Sequence, residues 1–316
     1  MASSGRHLDE PTWTGVFNRR TFHDLNVGPG QDPVRFDHDD GERLVGSLSG
    51  VLEQGVLTNG FSAAFGGIDF ARPRETPAHI AATLDAVIAA AAEAGANRIE
   101  LRLKPACYSE NEPIIVYDLL ARGFQVDRVA LSWAIDLARF EAAADWVAAL
   151  KSPARRALKH AAGEPWDFTQ LELGDDHGWE AARALIEQNR SDKGRSFSIG
   201  AGYLPGLRAA FGPSLLMFTL AHGGAPVAAA LVYRAQEDVW YVLGWGDTGH
   251  DLPRSPMNEL AHRVTGAAIE AGMRVLDLGT SSLPEDCTAA PALDDGLVQF
   301  KTSLLARPHL RPVMTR

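Results

Sequence analysis

At 316 residues the chain exceeds the size at which a single hydrophobic core keeps growing, and two domains are expected. A hydrophobic content of 46% against 22% charged residues excludes a disordered chain, and a net charge of −10 excludes generic nucleic-acid binding, so any phosphate contact needs a local basic patch. There is no apolar run of bilayer length, residues 1–7 lack the apolar stretch of a secretory signal, and two cysteines, Cys107 and Cys287, give no disulfide framework; together these point to a cytoplasmic protein without a membrane span.

In chain order, residues 1–10 read as a loose tail and 43–52 as a strand. A glycine-dense turn holds Phe65, Gly66 and Gly67. Residues 77–94 place Ile80, Leu84, Val87 and Ile88 on one helical face; Gly95 stops that helix and a strand follows over 97–103. An Ala-rich helical stretch at 139–162 leads to an amphipathic helix at 179–189, a polar loop at 188–195 and a short helix at 203–211. Strands are expected at 214–220, 225–233 and 239–243. Ser255 and Pro256 then open a helix carrying Met257, Leu260, Val264 and Ala268, which Gly272 ends before a strand at 274–278. A last strand lies around 309–314.

Two of these passages match. Glu93-Ala94-Gly95-Ala96-Asn97-Arg98-Ile99-Glu100-Leu101 and Glu270-Ala271-Gly272-Met273-Arg274-Val275-Leu276-Asp277-Leu278 share one pattern of helix, Ala-Gly stop and apolar strand. Each follows strand-like segments and precedes a further helix and strand, so the chain reads as a duplication. The domains are set at 11–145 and 146–316.

Four constellations carry candidate chemistry. Gly244-Trp245-Gly246-Asp247-Thr248-Gly249 has the G-x-G-x-x-G spacing, but Pro253 and Pro256 separate it from its helix, which argues against a dinucleotide fingerprint. It is read as a loop admitting a substrate or as a plain turn. Lys151, Arg155, Arg156 and Lys159 form a cationic helical stripe, suited to phosphates or carboxylates or merely a solvated face. The Phe65-Gly66-Gly67 turn is a tight bend or a place where amides approach a ligand. Lys301, behind Phe300, is positioned toward a cleft or lies on the surface. Cys107 reads as a structural thiol, and the ten scattered histidines show no metal-ligand spacing.

Taken with Arg102-Leu103-Lys104-Pro105, Tyr108, the run from Pro256-Met257-Asn258 to Asp277-Leu278-Gly279, and Gly296-Leu297 with Phe300-Lys301, these pieces resemble the FemAB-type branch of the Gcn5-related N-acetyltransferase (GNAT) superfamily. The resemblance implies an α/β fold of two tandem GNAT-like domains, each a mixed, mostly antiparallel sheet flanked by helices. It implies transfer of an acyl or aminoacyl group from an activated ester or thioester to an amine of a small-molecule or cell-envelope precursor. The donor is an aminoacyl-tRNA, acyl-CoA or carrier protein, with no tightly bound cofactor, no metal and no DNA partner. By position, the resemblance implies that Lys301 polarises the carbonyl or contacts a donor phosphate. Arg155, Arg156 and Lys159 hold phosphates, and Gly244, Gly246 and Asn258 line the cleft of the second unit. Phe65, Gly66, Gly67 and Tyr108 shape an acceptor pocket. The competing expectation is a non-catalytic ligand-binding module that keeps the fold.

Overall fold

The computed structural model describes residues 11–249, 255–281 and 292–316. The expected tail at 1–10, the prolines' spacer at 250–254 and Cys287 lie outside the described residues. The chain divides into two units, one made of residues up to 104 with 110–128 and 312–316, the other of 105–109 and 129–311. Among the described residues, no helix is long and apolar enough to cross a membrane.

The first unit contains α1 (Arg20–Asn26), β1 (Asp32–Asp39), β2 (Leu44–Glu53), β3 (Val56–Asn59), β4 (Asp69–Phe70), α2 (Pro77–Glu93), β5 (Arg98–Arg102) and α3 (Glu112–Ala121). Strand β6 (Gln125–Asp136) begins in this unit and ends in the next. The second unit continues with α4 (Ala143–Ala149), α5 (Ser152–Ala161), β7 (Trp166–Gln170), α6 (Asp176–Asp192), α7 (Leu204–Phe211), β8 (Leu215–His222), β9 (Ala225–Gln236), β10 (Val239–Asp247), α8 (Pro256–Glu270), β11 (Val275–Thr280) and α9 (Asp295–Ser303). Strand β12 (Arg307–Thr315) starts in the second unit and returns to the first.

Each unit is a mixed, mostly antiparallel sheet built to one plan. In the first, β3 and β5 run parallel around α2; in the second, β10 and β11 run parallel around α8. Both helices stop at a glycine in the left-handed region, Gly95 at φ 96° and Gly272 at φ 71°, where a side chain is strained. The duplicated sequence pattern is therefore a duplicated β–α–β unit. The closing strands are exchanged. β6, which follows α3, pairs antiparallel with β11, while Val313, Met314 and Thr315 of β12, which follows α9, pair with β5.

Packing follows the helical periodicities. Ile80, Leu84 and Val87 of α2 are buried with Leu48, Leu57, Ile99, Leu101 and Met314 in the first core. Leu260, Val264 and Ala268 of α8 are buried with Trp133, Trp146, Phe218, Val232 and Leu276 in the second. Two expectations are refined. The Ala-rich stretch at 139–162 is broken at Leu150 and Lys151, whose backbones are extended ahead of Pro153 in the first turn of α5. The polar loop at 188–195 is helical as far as Asp192.

His23 is buried in α1 and its Nε2 has no hydrogen-bond partner among the described residues. Burial, aided by the nearby charge of Arg20, lowers its pKa from 6.5 to about 4. The unfolded chain accepts a proton that the folded state resists, so stability declines as pH drops from 6.5 towards 4. Replacing His23→Leu should flatten this part of the acid response, narrowing the loss of unfolding free energy between neutral and acidic denaturant curves by up to roughly 3 kcal/mol.

Candidate active site

The parallel pair of the second unit separates. β10 and β11 pair only from Val239↔Val275 to Tyr241↔Asp277, although β10 runs on to Asp247 and β11 to Thr280. Each strand is irregular at that level. Against β9, β10 slips between Val242 and Gly244; against β6, β11 slips between Asp277 and Thr280. Such bulges bend a strand away from its neighbour and leave backbone groups without ladder partners.

Asp277 meets part of that demand. Fully buried, it accepts hydrogen bonds from Ser132 Oγ at 2.8 Å, Tyr108 Oη at 3.0 Å and the backbone N–H of Gly279 at 2.8 Å. Lys301 meets a further part. Its Nζ donates to the carbonyls of Gly279 at 2.9 Å and Thr280 at 2.6 Å. Lys301 is 2% exposed, and burial lowers its pKa from 10.5 to about 7. Asp277 opposes this shift, while Arg195 and Arg190 reinforce it.

The gap between the strands is a pocket of about 820 Å³. Tyr241, Val242, Leu243, Gly244 and Trp245 of β10 form one side, and Leu278, Gly279 and Thr280 of β11 the other. Phe300 and Lys301 of α9 also line it, and the end of α6 contributes Asn189, Arg190 and Lys193, followed by Arg195. Asp294 N-caps α9 by accepting from Leu297 N at 2.8 Å, and its carboxylate also pairs with Arg195. Lys301 is thus carried on a helix fixed at its start from the α6 side.

The structure brings together Lys301 and Gly244 of the sequence candidates. The Gly244–Gly246 segment is strand rather than loop: β10 extends through Asp247. Its glycines admit close packing, because a Cβ at Gly244 would lie 2.8 Å from Phe197 and one at Gly246 would lie 2.7 Å from Asn189. Asn258 faces a neighbouring groove of about 320 Å³, lined also by Trp146, Pro153 and Phe300. Arg155, Arg156 and Lys159 are exposed on α5 and line neither cavity, whereas Ala154, Ala157 and Leu158 of that helix line the groove. In the first unit, Phe65 is buried edge-on against Phe17. The amides of Gly66 and Gly67 are committed internally, donating to Arg102 O at 2.8 Å and Asn59 Oδ1 at 2.7 Å. Tyr108 is buried and supports Asp277.

Sequence reasoning passed over Arg190, Lys193 and Arg195 as part of a polar loop. Their signal was the one that singled out the α5 stripe, cations concentrated in an acidic chain.

The candidate site is thus a pocket between the splayed parallel strands of a mixed α/β sheet. Residues 148–286 match the family model described as an acetyltransferase (GNAT) domain. The solved structure of FemX superposes with a TM-score of 0.69 at 10% identity, covering 94% of this chain and 91% of that one. L-PGS from Bacillus licheniformis superposes with a TM-score of 0.56 at 14% identity, covering 90% and 84%. Among curated proteins, none matches the sequence. A GNAT-domain match thus covers residues 148–286, and the fold is FemX-like.

Removing the Asp277 carboxylate strands three buried donors, Ser132 Oγ, Tyr108 Oη and Gly279 N. Asp277→Ala is expected to lose roughly 3–5 kcal/mol in denaturant titrations, and Asp277→Asn distinctly less because an amide oxygen still accepts.

Proposed function

We propose that this protein transfers an acyl or aminoacyl group to an amine in the pocket between β10 and β11. The donor would be an activated ester or thioester, carried by tRNA, coenzyme A or a carrier protein. The acceptor would be an amine of a small-molecule or cell-envelope precursor. Lys301 is the observation that carries this reading: a buried amine in a cavity, close to the balance point between its charged and neutral forms.

Two of its tetrahedral positions are taken by the carbonyls of Gly279 and Thr280. The chemistry is left to the remaining position. As an ammonium, Lys301 offers a third N–H to the carbonyl oxygen under attack, stabilising the charge that develops when the acceptor nitrogen adds and the donor's ester or thioester carbon becomes tetrahedral. Collapse expels the donor's oxygen or sulfur and leaves the new amide. Desolvation strengthens this interaction, because the donor is fixed by its helix and needs no reorganisation. The proton released by the attacking amine goes to solvent or to the leaving group. The GNAT-domain match and the FemX-like fold support the reaction class.

The test is to incubate the full chain with aminoacyl-tRNAs, acyl-CoAs and a panel of amines and follow mass gain on the acceptor. With the donor found, Lys301→Met should reduce kcat by about 10²–10³-fold, the scale of losing one preorganised oxyanion donor. With an acceptor amine that stays unprotonated across the range, kcat should decline as pH rises through about 7, because the required form of Lys301 is the charged one. A rate that climbs through that pH instead makes Lys301 a general base. Turnover untouched by Lys301→Met removes it from the chemistry. Binding without product from any donor favours a ligand-binding module.

A further inference from the structure

The wall of the pocket formed by the end of α6 is more cationic than its structural tasks require. The backbone N–H groups of Lys193 and Arg195 bond back to the carbonyl of Arg190, at 3.1 and 2.8 Å, and that of Gly194 bonds to Ser191 at 2.9 Å. This tight return stacks Arg190, Lys193 and Arg195 along one side of the cavity. Asp294 compensates Arg195. Among the described residues neither Arg190 nor Lys193 makes an ion pair. Arg190 uses Nε to hold Ser196 O at 2.7 Å, and Lys193 reaches Asn189 Oδ1 at 3.0 Å. The planar Nη edge of Arg190 carries no hydrogen bond among the described residues. Burial and Arg195 together lower its pKa, so the folded protein spends free energy to keep these charges together.

We infer that Arg190 and Lys193, with Arg195 behind them, form a seat for an anionic group, a carboxylate or phosphate, on the molecule that enters this pocket. Three features support it. The chain carries a net charge of −10 and repels anions at long range, so retaining one requires concentrated local positive charge. A guanidinium edge with free Nη donors matches a carboxylate or phosphate in a bidentate arrangement, and the neighbouring ammonium adds a point charge. Finally, the seat shares one cavity with Lys301, so an anion bound there would be attached to the reacting molecule rather than to a separate effector. The substrate is then an amine or a donor bearing an acidic group within reach of the transfer. That last step rests on the pocket being the place of transfer, whereas the seat itself does not.

The probes are inorganic phosphate and acetate, titrated into the full chain at constant ionic strength with chloride as the balancing anion, and read by thermal stabilisation and calorimetry. At least one of the two is expected to bind more tightly than chloride, and whichever binds better identifies the seat as one for phosphate or for carboxylate. Lys193→Gln, at an exposed position, and Arg190→Gln are each expected to weaken that binding by about tenfold or more, the cost of one charge-assisted contact. Arg155→Gln with Arg156→Gln, on the outer face of α5, should leave it unchanged. Equal binding of all three anions overturns the inference, as does wild-type affinity in Lys193→Gln when circular dichroism shows both proteins folded alike. Anion binding that depends on Lys193 in a protein transferring no group upholds the seat and defeats the proposed reaction, so the two fail separately.

Discussion

Where β10 and β11 part company after Tyr241 and Asp277, the sheet gives up backbone hydrogen bonds that a buried chain cannot leave unmade. Two side chains at the candidate site answer that constraint. Asp277 turns back to take the N–H of Gly279, and Lys301 reaches from α9 to the carbonyls of Gly279 and Thr280. The cavity exists because the strands diverge, and the divergence is tolerated because these two side chains replace the ladder. Lys301 is thus structural as well as being the candidate reactive group. Its position is dictated by the carbonyls it satisfies, which is why its third donor direction is fixed.

Two buried lysines show how the surroundings set the charge. Lys104, in the first unit, bonds Ile68 O at 2.7 Å and the Asp69 carboxylate at 2.9 Å. Burial disfavours its charge, but Asp69 and Glu112 outweigh burial and its pKa rises. Lys301 is bonded to neutral carbonyls and has arginines nearby, so burial prevails and its pKa comes down to about 7. Lys104 is a permanent cation in a hydrogen-bonded network, whereas Lys301 is poised between two states. The same residue type, buried to a similar degree, serves as a brace in one unit and as the candidate reactive group in the other.

The duplicated plan is accordingly used unequally. In the first unit β3 stays paired with β5 through Asn59↔Leu101, at its last residue. The turn beyond it is closed by the protein itself, since the Asn59 side chain spans Ser49 O and Gly67, and Asn18 Nδ2 donates to the carbonyls of Gly66 and Gly67. In the second unit the corresponding pair is pried open and lined with cations. The exchange of β6 and β12 means that neither sheet is completed by a continuous stretch of sequence.

The sequence by itself determined the β–α–β repeats, because the apolar spacing of Ile80, Leu84 and Val87 and of Leu260, Val264 and Ala268 and the stops at Gly95 and Gly272 are local properties written in order along the chain. It left Lys301 open between a surface position and a cleft, and only the resemblance to FemAB-type proteins singled it out. It did not decide that the Gly244–Gly246 segment is strand, since glycine's freedom is read there as a loop, and only the approach of Asn189 and Phe197 explains why a side chain is excluded. Nor did it separate the two sets of cations. Arg155, Arg156 and Lys159 form the clearer linear pattern yet face outward on α5, while Arg190, Lys193 and Arg195 share a pocket because a return at the end of α6 turns them toward strands that follow them in sequence. Which face of a helix meets a cavity depends on contacts between segments far apart in the chain, and that choice belongs to the tertiary structure.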